Sequence, residues 1–209
     1  VVGFGRERGA PDVAELRFAV EQTGATAEAA AQAAAKISER VIAALKKDVG
    51  PGGKVETAGF TLNPNYRPEP PSTAGRERGP QIVSYTAMNE VRVQTRRVDA
   101  VGALIDAGIA AGAGRINQLS FAVEDPAPLQ ARALATAAGD AAAQAATIAA
   151  ALHVRLKDVL EATTESVARP LPQRYAGAML NVEGAMAQTP IEPGTIATEA
   201  SLRVTYGIE

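Results

Sequence analysis

His153 is the one side chain of 209 whose ordinary pKa lies near neutrality, and the chain has no cysteine. A His working as a general base needs a Ser or Asp at motif spacing, and neither accompanies it. It stands just after Leu152, where a long alanine-rich segment must end. A helix C-terminus often needs a left-handed residue there, so a cap or surface residue is expected rather than a catalytic base. Without cysteine there are no disulfides, thiolate nucleophiles or zinc–thiolate sites. With one His, a transition-metal site would have to be built from carboxylates. Glu124 and Asp125 are adjacent and so point to opposite faces of a strand. Gly3 and Gly5 resemble the start of a dinucleotide loop, but Gly9 comes one residue too late and no helix follows. No nucleophile elbow, HExxH pair or phosphate loop occurs. The expectation is no catalytic residue, no metal ligand, no cofactor and no enzymatic activity.

Tyr66, Tyr85 and Asn89 form the one polar set that stands out. In "QIVSYTAMNEVRV" the alternate positions Tyr85, Ala87, Asn89, Val91 and Val93 share a face. Asn89 is therefore polar on an apolar face and needs hydrogen-bond partners if buried. Two readings stay open: a structural polar cluster, or a small-ligand pocket near Tyr66, Tyr85 and Asn89.

The elements that must carry these residues follow from periodicity. Leu16, Phe18 and Val20 alternate with charged neighbours, the mark of a half-buried strand. The first segment thus reads as two strands parted by a turn at Gly9, Pro11 and Asp12. From Thr26 to Asp48 the period becomes helical through Ala30, Ala34, Ile37, Val41, Ala44 and Leu45. Thr26 is the expected N-cap, Glu28 suits the first turn, and Lys46 and Lys47 the last. "KVETAGFTLNPNY" and "QIVSYTAMNEVRVQTRR" are long strands. The Pro-, Gly- and charge-rich stretch between them, residues 67–79, is expected to be an exposed mobile loop. Asp99 is the expected N-cap of a second helix, and "RINQLSFAVED" reads as a further strand. After the alanine helix, "RLKDVLEATTES" and "TIATEASLRVTYGIE" are strands, with an irregular stretch from Ala168 to Gly194 between them. The order β-β-α-β-β-α-β-α-β-β predicts an α+β fold with a largely antiparallel, hairpin-rich sheet and about three helices packed on it.

The alanine helix has a definite purpose. Leu134, Ala138, Ala141, Ala145, Ile148 and Leu152 form the expected inward stripe, bulky at the ends and thin in the middle. Arg132, Asp140 and Gln144 interrupt it, which excludes a membrane anchor. A face of alanines lets a helix approach its neighbour more closely than leucines would, so a close-packed core element is expected.

Bulk properties narrow the function classes. A net charge of −2 offers no basic stripe for nucleic acid, and aromatics are 4% with no tryptophan to stack bases. No stretch of 18 apolar residues occurs, so no transmembrane segment is expected. The chain begins at Val1, which is compatible with a removed signal peptide or a trimmed terminus.

Several separated patterns occur in a fixed order: Gly3-Phe4-Gly5 with "APDVAELRFAV"; "TAGFTLNPNY" ending in Pro64-x-Tyr66; "IVSYTAMNEVRV" with Tyr85, Ala87 and Asn89; "AGAGRINQLSF"; the alanine helix with Asp140-Ala141 and Ile148-Ala149; "PIEPG"; and "ASLRVTY". Together they resemble the SIMPL-domain family, a bacterial envelope group that includes oxidative-stress defence proteins and a periplasmic immunogenic protein. Ser84, His153 and Lys157 stand where glycines are usual in that family. The resemblance implies one SIMPL-like domain over residues 1–209, as a single body or two intertwined α+β lobes. It also implies a periplasmic location and a non-enzymatic role in oxidative or envelope stress tolerance. Self-association into a homo-oligomer is expected, with other envelope proteins as candidate partners. The resemblance brings no catalytic residues.

Overall fold

The computed structural model describes residues 1–67, 81–168, 170–175 and 189–209. Their order is β1 (Val2–Gly9), β2 (Val13–Gly24), α1 (Ala27–Asp48), β3 (Lys54–Tyr66), β4 (Ile82–Thr95), a 3-10 turn (Val98–Ala100), α2 (Val101–Ala110), β5 (Arg115–Ala122), α3 (Ala127–Ala151), β6 (Leu156–Val167), β7 (Gln173–Tyr175) and β8 (Ile196–Ile208). This is the α+β fold that the periodicity predicts, with two antiparallel sheets. The loop expected over 67–79 lies, apart from Arg67, outside the described residues. Contacts divide the chain into two compact units. One holds Val1–Asp12, Phe121–Gln173 and Pro193–Glu209; the other holds Val13–Ser120 and Arg174–Glu192.

The first unit carries the sheet β1-β8-β6 with α3 laid on β1 and β8. Although β1 and β2 are consecutive, β1 does not turn back on β2. It pairs antiparallel with β8, from Val2 opposite Arg203 to Gly9 opposite Ile196. The buried stripe of α3 is Leu129, Ala133, Ala137, Ala141, Ala145 and Ala149, at strict spacing of four. This corrects the expected stripe: Ala141 and Ala145 belong to it, but Leu134 is half-buried and Ala138, Ile148 and Leu152 are exposed. The reason lies on β1. A Cβ on Gly3 would sit 2.0 Å from the Ala137 carbonyl oxygen, and one on Gly5 only 1.9 Å from that of Ala133. Backbone meets backbone here, so only alanine fits on the helix side and the bulky residues are turned outward. The row of i, i+4 residues is inclined to the helix axis by about 26°, so the contact runs obliquely along the helix.

The same contact explains the polar residues of α3. Asp140 Oδ2 accepts the Phe4 N–H at 2.8 Å, and the Thr136 hydroxyl donates to Glu7 Oε1 at 2.7 Å. β1 is an edge strand whose free donor the helix satisfies. At the end of α3, His153 has φ of 55°. Its N–H donates to the Ala150 carbonyl at 3.2 Å, and that of Val154 to Ala149 at 3.0 Å. These paired bonds make a Schellman cap, so His153 takes the capping role expected of it.

In the second unit the order is β3-β4-β2-β5-β7. α1 packs on β4 and β2, and α2 packs on α1. Thr26 caps α1 as expected, its hydroxyl accepting the Ala29 N–H at 3.1 Å. Ser38 rather than Ile37 takes the buried position on α1, and its hydroxyl donates to the Ala34 carbonyl at 2.8 Å, so that it is not left unpaired. Asp99 is not the cap of α2. A 3-10 turn winds it inside the first coil, and Ala100 occupies the cap position without a side-chain bond. Phe18, Leu16, Val20, Val91, Val93, Leu45 and Leu104 are fully buried and form the core. Among the described residues no helix is long and apolar enough to cross a membrane.

Candidate functional site

β4 lies between β2 and β3, and its alternate residues Tyr85, Ala87, Asn89, Val91 and Val93 face α1. Ala87 packs with Ala30 and Ala34 of the helix, and the Tyr85 ring lies against that cluster. Opposite Tyr85 on β2 is Gly24, where a Cβ would come within 2.5 Å of the Ala30 nitrogen. The start of α1 therefore sits close to the sheet beside Tyr85, leaving no room for a larger residue.

Asn89 stands opposite Val20 on β2 and Phe60 on β3. Its side-chain oxygen is buried and has no hydrogen-bond partner among the described residues. An unpaired buried acceptor costs about 1–3 kcal/mol, so this atom is an energetic liability in an apolar setting. Tyr66 lies at the end of β3 opposite Ile82 and is 52% exposed. Seven residues of strand separate Ile82 from Asn89, roughly 23 Å at strand rise. The structure thus places Tyr85 and Asn89 on one face, about 13 Å apart along the strand. Tyr66 is set well beyond them, and the three do not converge on one point.

The opposite face of the same sheet is polar and closely paired, a feature the sequence reading did not single out. Arg17 reaches Glu15 at 3.3 Å and Glu90 at 3.2 Å, and Arg92 reaches Glu15 at 3.2 Å. Asn117 donates to Glu90 at 2.9 Å, while Asn65 donates to Ser84 and Thr86 at 2.9 and 2.8 Å. Alternation along β2 and β4 could have revealed this ladder, since Glu15, Arg17, Glu90 and Arg92 occupy the complementary positions. Each carboxylate named here is held by an arginine or an amide, which suits a solvated sheet face better than a general base.

In the first unit, β6 and the ends of α3 and β8 carry exposed apolar side chains: Ile148, Leu152, Leu156, Val159, Leu160 and Ile208. Several of them line a groove of about 230 Å³ with Tyr206 and Val204. Leu160 is 70% exposed and Leu152 62%. Contiguous apolar exposure of this kind marks an interaction surface more often than a solvated one.

Comparison with known proteins places this geometry. The family model SIMPL, a protein of unknown function (DUF541), matches residues 1–206. The chain is also similar to the 26 kDa periplasmic immunogenic proteins of Brucella melitensis biotype 1 and Brucella abortus (strain S19). Each is 26% identical over 212 residues, which cover all of this chain and 84% of the relative. The family-model match runs from the glycine strand β1 almost to the end of β8, and so the chain belongs to the SIMPL family.

Proposed function

We propose that this protein is a periplasmic component of the cell envelope that works without enzymatic chemistry, by self-association, in support of oxidative or envelope stress tolerance. The periplasmic location rests on the relatives named as periplasmic proteins. The stress role rests on the family resemblance. Self-association is carried by one observation: β6, an edge strand, is exposed along nearly its whole length and bears large apolar side chains. Exposed edges of this kind are templates for another chain unless they are covered. The test is native mass by light scattering on a sizing column across a concentration series. A defined multimer that survives dilution to low micromolar is the expected result; a monomer at every concentration would sink the assembly reading.

A second reading, a small-ligand binding module, is favoured by the unpaired Asn89 oxygen on the α1-facing side of β4. Asn89→Leu separates it from a purely structural role. Leucine has a similar shape and removes the orphaned acceptor, so thermal unfolding is expected to shift upward, by about 1–2 kcal/mol in stability. If Asn89 instead serves a ligand, a compound that stabilises the wild type in a thermal-shift screen loses its effect in the variant.

A further inference from the structure

We infer that β6 is a homotypic docking edge, pairing antiparallel with β6 of a second copy about a two-fold axis at Val159. The inference rests on the self-association reading and deepens it by naming the surface. β6 is the outermost strand of its sheet, and every residue from Leu156 to Ser166 is exposed. α3 lies over β1 and β8 and touches β6 only slightly.

Irregular register sorts the side chains of this strand. Leu156 stands opposite Ile208 and Val159 opposite Tyr206, while Glu161 stands opposite Thr205. Leu156 and Val159 therefore share the α3 side of the sheet, and Glu161 points to the open side. Lys157 is also on the open side: its Cβ abuts Gly207, and its ammonium pairs with Glu209 at 2.8 Å. In a regular strand residues 157, 159 and 161 would point the same way. The bulges between them set Lys157 and Glu161 on the open face, which Leu160 shares, its Cδ2 lying 4.0 Å from a would-be Cβ on Gly207, and leave Leu156 and Val159 on the other.

Charge then selects the partner and the register. With the two-fold at Val159, Lys157 of each copy lies opposite Glu161 of the other, and Leu156 lies opposite Ala162. Two ion pairs flank the paired Val159 residues, and Asp158 of each copy lies opposite Leu160 of the other. Moving the axis half a residue, between Val159 and Leu160, sets Asp158 against Glu161. Moving it to Glu161 sets that residue against itself. Like charges directly opposite are destabilising, so the Val159 register is favoured over both of these. The pairing is isologous and closes as a dimer. It also brings the two Val159 side chains together, with each Leu156 opposite Ala162 on the side of the groove that Ile148 and Leu152 line.

The test is a charge swap read by light scattering and sedimentation, with far-UV circular dichroism confirming the fold. Lys157→Glu alone and Glu161→Lys alone each oppose like charges twice per dimer. Each is expected to raise the apparent dissociation constant at least about tenfold. The double swap restores opposite charges and is expected to recover wild-type association. Glu161→Lys leaves the Lys157–Glu209 pair untouched, so agreement of both single variants excludes an effect through that pair. A wild-type multimer undisturbed by all three variants overturns the β6 edge and leaves self-association standing. Single variants that dissociate without rescue in the double overturn the Val159 register and the proposal with it. A monomeric wild type overturns both readings.

Discussion

Replacing Gly5 by valine is expected to unfold the unit built from α3 and the β1-β8-β6 sheet. A Cβ at Gly5 would stand 1.9 Å from the Ala133 carbonyl oxygen and 2.6 Å from the Ala137 nitrogen. Neither neighbour is a flexible side chain that can rotate away. The helix would have to retreat by more than an ångström along its contact with β1, breaking contact at Ala133, Ala137 and Ala141 together. It would also pull Asp140 from the Phe4 N–H. Overpacking a core by a few methyl groups usually costs about 1–3 kcal/mol, and a clash with backbone belongs at or above the top of that range. Against a typical total of about 5–15 kcal/mol, such a loss is severe. Urea unfolding, with hydrogen exchange of the α3 amides, reads the effect. Gly139→Ala is the control on the same helix: nothing lies within 4 Å of its would-be Cβ. That variant should gain about 0.5–1 kcal/mol from helix propensity alone. If Gly5→Val melts like the wild type, close backbone packing is not what the alanines serve.

Much of this architecture is written locally and could be read so. Thr26, Glu28, Lys46 and Lys47 bracket α1, and alternation along β2 and β4 marks those strands within a residue or two. The demand for a thin helix was legible in the alanines themselves. Which alanines face inward was not, because a helix that is small on every side has no contrast from which to read a face. The decisive information sat on Gly3 and Gly5, more than a hundred residues away. The pairing of β1 with β8 was hidden for a similar reason. Backbone hydrogen bonds are not specific to sequence, and a partner some two hundred residues distant leaves no periodic trace. At the candidate site, the polarity of Asn89 on an apolar face was legible from alternation. That its oxygen lacks a partner depends on Val20 and Phe60 from two other strands. The separation of Tyr66 from Asn89 depends on the register of the β3–β4 pair. Asp99 illustrates a local failure: good capping chemistry lost its position to a 3-10 turn that begins one residue earlier.

Phe18→Ala is expected to have the largest effect on the other unit. Phe18 is fully buried on β2, opposite Val91. Its ring fills the space above Gly108 of α2, where an added Cβ would meet ring carbons at 2.5 and 2.9 Å. Truncating a buried phenylalanine costs about 3–5 kcal/mol, from lost transfer energy and the cavity left behind. The upper half of that range applies here, because glycine at 108 offers no side chain that can swing into the void. The same geometry predicts a coupling that a simple loss of hydrophobicity would not produce. Gly108→Ala in the wild type forces a methyl group into the ring and should destabilise. In the Phe18→Ala background that methyl group enters the cavity, so the second substitution should be neutral or stabilising. Direct neighbours of this kind show interaction energies of about 0.5–3 kcal/mol in a double-mutant cycle. Urea denaturation of the four proteins supplies the cycle. Strict additivity would mean that α2 does not press on Phe18 as the structure has it, and the seating of α2 against β2 would need revision. A coupling above about 1 kcal/mol would instead show that Gly108 is small because Phe18 is large.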